Sequence, residues 1–136
     1  MLDSIRSFFE TVQDFPDIPL LLMRVVVGLV FVVAARNKLK DVAEFAKGNG
    51  LPVPIAWLSI FAEIAGGVGI ALGILPQVAA LIIMGLMSGS MYFHIVKWKS
   101  KYWAASGGWE YDLMLFTMAS VILVTGGGDI ALYTML

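Results

Sequence analysis

Four apolar runs divide the chain, at residues 18–39, 55–75, 77–96 and 109–125. Each comes close to the about 20 residues of helix that cross a hydrocarbon core of about 30 Å. Pro16 and Pro19 open the first run and suit a helix start. The second follows the helix-breaking stretch Gly48-Asn49-Gly50-Leu51-Pro52-Val53-Pro54. Only the turn at Pro76 separates it from the third, so these two are expected to be antiparallel neighbours. The fourth lies between Gly107-Gly108 and Gly126-Gly127-Gly128. Backbone polar groups cannot stay unpaired in lipid, so each run is predicted to be a helix rather than a strand. The pattern predicts an all-α fold, an integral membrane four-helix bundle over residues 18–136. Residues 1–17 form a separate N-terminal segment, in which residues 4–12 would place Ile5, Phe8, Phe9 and Val12 on one side of an amphipathic helix at the membrane surface. A partly ordered tail is the alternative for that segment.

Composition strengthens the membrane reading. Apolar residues make up 60% of the chain, charged residues 14%, and the mean hydropathy is +0.88. Soluble domains average about 45–50% apolar, so the excess calls for lipid as a solvent. A net charge of −1 gives no case for nucleic acid, and the chain has no cysteine. Disulfides, thiolate metal sites and cysteine electron relays are thereby excluded within it. The acidic start (Asp3, Glu10, Asp14 and Asp17 against Arg6) is the reverse of a cleavable signal. Arg36, Lys38, Lys40, Lys47, Lys97, Lys99 and Lys101 fall on the side of the two long loops, against Arg6 and Arg24 on the other. The bias predicts an inner-membrane protein with cytoplasmic loops and both termini outside. Tyr92, Trp98, Tyr102, Trp103 and Trp109 read as an interfacial belt on the loop side.

Chemistry is best sought where polarity is expensive. A charge at mid-bilayer costs about 2.5–3.5 kcal/mol on insertion scales, so it needs a partner or a role. Five residues qualify: Arg24, Lys38, Glu63, His94 and Glu110. Arg24, Gly28, Phe31, Ala35 and Lys38 share one stripe of the first helix. Glu63 lies eight residues past Ile55, about 12 Å down its helix. Lys38, His94 and Glu110 are expected to gather at the loop-side interface, with Glu63 roughly two turns below. Such a cluster suits proton transfer by Glu63, His94 and Glu110, or simple mutual neutralisation; Arg24 reads as a structural polar residue. Ala62, Gly66, Gly67, Gly69 and Gly73, with Gly85 and Gly89, read as helix-packing faces. Met84, Met87, Met91, His94, Met114 and Met118 include soft ligands, but methionine is common core filler and no metal site is expected. His94 is the only histidine, too few to ligate a haem from both sides.

The run Leu22-Met23-Arg24-Val25-Val26-Val27-Gly28-Leu29-Val30-Phe31 followed by Lys38-Leu39 resembles the first helix of the DoxX family. Leu51-Pro52-Val53-Pro54, Ala62-Glu63-Ile64-Ala65-Gly66-Gly67 and Leu72-Gly73-Ile74-Leu75-Pro76 are similar to its second, and His94 with Gly107-Gly108-Trp109-Glu110-Tyr111 to the join of its third and fourth. Arg24, Lys38, Glu63, Trp109 and Glu110 match recurrent polar or aromatic positions. Ala34-Ala35 departs from the pattern, which often has glycine there, sometimes preceded by histidine, and Arg36 adds an unrequired cation. The resemblance implies a four-helix membrane protein, with some members linked to sulfur-compound oxidation with quinone as electron acceptor and others to membrane oxidoreductase complexes. Three functions remain open. One is an accessory or structural subunit of a larger membrane complex. The second is a quinone-linked oxidoreductase subunit holding the head group with Lys38, Glu63, His94 and Trp109. The third is a small transporter or lipid-binding protein. Expected partners are the lipid bilayer and other membrane subunits or further copies of the chain; no cofactor is expected within the chain other than a quinone.

Overall fold

The computed structural model describes residues 1–103 and 108–132. These residues form six α-helices: α1 (Leu2–Gln13), α2 (Asp17–Leu39), α3 (Val42–Gly48), α4 (Val53–Leu72), α5 (Pro76–Tyr92) and α6 (Glu110–Thr125). A single π turn, Phe93–Lys97, continues α5. The all-α membrane fold follows from the four apolar runs. Three helices are long and apolar enough to cross a bilayer: Asp17–Leu39, Val53–Leu72 and Pro76–Lys97. The fourth, α6, has 16 residues, about 24 Å at 1.5 Å per residue. It lies antiparallel beside α5, because Gln77 donates to the Leu123 carbonyl at 2.8 Å while Ser90 donates to Asp112 at 2.7 Å.

Local chemistry sets the helix ends. α4 stops at Leu72, three residues short of the sequence expectation, because Gly73 adopts φ +71° and reverses the chain. Leu75 also has positive φ, and Pro76 then opens α5. α3 was not expected; it occupies part of the loop after α2. Asp41 caps it by accepting from the Glu44 N–H at 3.0 Å, and its buried Ala46 packs the short helix back toward the bundle.

α2 and α4 meet along glycines. A Cβ at Gly28 would stand 2.5 Å from the Gly67 carbonyl oxygen and from Ala71 Cβ, so only hydrogen permits this crossing. Val27, Phe31, Ile70, Ala80, Ile83, Leu115, Ala119 and Ile122 fill the interior with Met87, one of the methionines read as possible soft ligands. Outward-facing apolar side chains such as Leu22, Leu29, Phe61 and Val124 are exposed all round, as a lipid-facing surface requires. Among the described residues α1 packs on no other helix, and none of its side chains is buried. Arg6 and Glu10 pair on its polar side at 2.9 Å.

Arg24 closes the end away from the long loops. It is 1% exposed and has no acidic partner among the described residues; its guanidinium works on carbonyls instead. Nε donates to Ile70 O at 2.9 Å, Nη1 to Gly127 O at 3.0 Å and Ile130 O at 2.6 Å, and Nη2 to Ala71 O at 3.5 Å. The last carbonyls of a helix have no intrahelical donor and carry its negative dipole end. A planar fork of donors meets that need, and it ties α2 to α4 and to residues 127–130 at once.

Candidate membrane-embedded polar site

Lys38 leaves the last turn of α2 and forms an ion pair with Glu63, at the middle of α4. Glu63 Oε1 takes this bond; Oε2 is buried with no hydrogen-bond partner among the described residues. Leaving a buried acceptor unpaired costs about 1–3 kcal/mol. Lys38 also lies over the Phe45 ring of α3, 4.8 Å from its centroid, which fixes the ammonium by a second, cation–π contact.

The pair lines a cavity of about 500 Å³ between α4 and α5. Ser59 and Ser90 add hydroxyls; Phe45, Phe93 and Trp98 supply aromatic wall. This size and this mix of apolar wall with a few polar groups are those of a small-molecule site. A second depression, about 610 Å³, lies on the loop side and is lined by Lys38, Lys40, Asp41, Glu44 and Phe45. Lys38 and Phe45 therefore form the partition between the two.

His94, Trp109 and Glu110 do not line the 500 Å³ cavity. His94 sits in the π turn, with Nε2 3.7 Å from Asp112 Oδ2 and its ring edge-on to Trp98 at 4.9 Å. Ser90 and Trp98 line the cavity and also touch this second group, so the two polar clusters adjoin without merging. Trp109 packs edge-on against Tyr102 at 4.7 Å, and the Glu110 N–H donates to Tyr102 O at 3.1 Å. Glu110 Oε2 is buried without a partner among the described residues.

Asp112 was missed by sequence reasoning. It is 7% exposed and is held by Ser90 and His94. Its signal was its register: Asp112, Leu115, Ala119 and Ile122 form the buried stripe of α6 at helical spacing. The packing reading of the glycines also divides. Gly28, Gly66 and Gly67 are packed closely, whereas a Cβ at Gly85 or Gly89 would meet nothing within 4 Å. Those two line the cavity instead.

The DoxX family model matches residues 19–95, more than half of the chain. The chain belongs to the DoxX family. The match takes in α2, α4 and α5 with Arg24, Lys38, Glu63 and His94, and ends before Trp109, Glu110 and Asp112. No curated protein and no solved structure matches this DoxX protein.

Proposed function

We propose that this DoxX protein is a subunit of a larger membrane oxidoreductase complex and that its Lys38–Glu63 pair binds the polar head of a lipid-soluble quinone. The observation that supports the reading is the buried Oε2 of Glu63, without a hydrogen-bond partner among the described residues, on a side chain that lines a cavity of suitable size. A carbonyl head accepts from the Lys38 ammonium, which has donors to spare beyond its bond to Glu63. A hydroxyl head donates to Glu63 Oε2 and relieves its missing bond. One pair thus accommodates both redox forms of the same head group. Quinone supplies two-electron chemistry when bound; Lys38 and Glu63 hold and orient it and keep a proton at hand. The chain has no cysteine and one histidine, so the reading assigns the electron source to a partner or a diffusible donor.

The same reading places the protein in the inner membrane with α6 completing a fourth crossing. It faces the lysine-rich loops and α3 to the cytoplasm, following the seven-to-two bias of Lys and Arg.

Purification from native membranes tests the function. Quinone is expected to co-purify with the native chain and to fall at least tenfold in both Glu63→Gln and Lys38→Met, with helical content unchanged. Equal retention in native and variant protein overturns the site. A purely structural subunit would keep its complex and carry no quinone in any form.

A further inference from the structure

Glycine inside a helix lowers its stability and is retained where something must come close to the backbone. Gly28 and Gly67 meet that condition through each other. Gly85 and Gly89 do not: they are exposed, and a Cβ added there would meet nothing within 4 Å. They nevertheless face the cavity that contains Glu63. The register of α4 on α5 connects the two facts. Gly66 packs against Ile82 and Ile83, and Gly69 against Ala79. One turn further along, Glu63 comes level with Gly85 and Leu86. A slot without side chains therefore runs along Gly85 and Gly89 in the cavity that Glu63 lines, and its rim, Ile55, Leu58 and Leu81, is exposed apolar surface of the kind that faces lipid.

We infer that this slot holds the apolar tail of a single-chain amphiphile that enters from the bilayer between α4 and α5, with its polar head at Glu63. The inference relies on the proposed quinone site only for where the head lies. A second copy of the chain could also approach the Gly85–Gly89 face, since two glycines four residues apart permit close helix contact. A helix there would present hydrocarbon to the slot and leave Glu63 Oε2 unpaired, whereas a tailed ligand brings a polar head to that oxygen. The tailed ligand accounts for both the open glycines and the orphaned acceptor.

Two photoactivatable probes with the same ten-carbon tail, one with a quinone head and one with a hydroxyl head, test this on the full chain in lipid nanodiscs. At least one is expected to label residues of the slot rather than the lipid-facing side of α6, and Gly85→Leu should reduce that labelling at least fivefold. Gly89→Ala, which adds one carbon in open space, should reduce it at least twofold and covers the case in which Gly85→Leu does not fold. Labelling by the alcohol alone supports the slot and removes the quinone reading; labelling by the quinone supports both. Slot labelling no greater than that of α6, or labelling unchanged by both substitutions, overturns the inference. The chain has no cysteine, so Gly85→Cys also reports on a second copy without background. Disulfide dimers in most of the molecules would assign the face to self-association and overturn the slot.

Discussion

Lys38 and Glu63 join the last turn of α2 to the middle of α4, and among the described residues the carboxylate has one oxygen bonded and one without a partner. Neither side chain is replaceable without consequence for the other. Removing Lys38 leaves the Glu63 charge buried and uncompensated, whereas removing Glu63 leaves a lysine that is only part-buried. Lys38→Met and Glu63→Gln are each expected to lower stability by about 1–3 kcal/mol. Because they remove the same interaction, the double variant should lose less than the sum, with a coupling of at least about 1 kcal/mol. Reversible unfolding in mixed micelles measures all three; strict additivity would mean that the pair does not interact.

Arg24 is expected to be the most sensitive polar position. Arg24→Met removes the donors to Ile70, Gly127 and Ile130 together, and Arg24→Lys restores a charge without the planar fork. At about 1–3 kcal/mol for each unsatisfied acceptor, the methionine variant should lose about 3 kcal/mol or more. The lysine variant should fall between it and the native chain. The same unfolding assay decides this, and a loss below about 1 kcal/mol in Arg24→Met would contradict the bonding described.

The glycines should divide by sign. Gly28→Ala drives a carbon to 2.5 Å from the Gly67 oxygen, so α2 and α4 must separate, at a cost of about 1–3 kcal/mol typical of overpacking. Gly85→Ala meets no neighbour and should gain up to about 1 kcal/mol from helix propensity. Thermal unfolding of the two variants should therefore move in opposite directions. Loss of stability in Gly85→Ala would place an unseen neighbour on that face.

Much of this was legible in the chain, and the exceptions are instructive. The apolar runs located α2, α4, α5 and α6, because hydrophobic length is the dominant requirement of a bilayer. Lys38, Glu63 and Arg24 stood out because charge in such runs is costly. Asp112 did not, since an acidic residue in the first turn of a helix is ordinarily explained by the helix dipole and by water. Only the position of α5 shows that Asp112 points at Ser90 and His94. Gly85 and Gly89 have the same local sequence signal as packed glycines, and only the neighbouring helices distinguish a contact from an opening.

Asp112→Ala should expose that difference. It strips Ser90 of its acceptor and His94 of a nearby carboxylate across the α5–α6 contact and is expected to cost about 1–3 kcal/mol. Asp112→Asn keeps an acceptor for the Ser90 hydroxyl and should lose less. Hydrogen exchange localised to the π turn at Phe93–Lys97 would report the loosening directly, and unchanged protection there would argue that the turn is held by other contacts.

Arg24 also sets an order of events. Two of its acceptors, Gly127 and Ile130, lie more than a hundred residues further along the chain. While the chain is being made, α2 reaches the membrane with a guanidinium whose final acceptors have yet to be synthesised. The Ile70 and Ala71 carbonyls can take the guanidinium once α4 is made, and residues 127–130 complete its set of acceptors only after α6. Chains halted before Gly127 should therefore hold α2 less firmly than the full chain does, so one buried arginine couples the first long helix to the segment that follows α6.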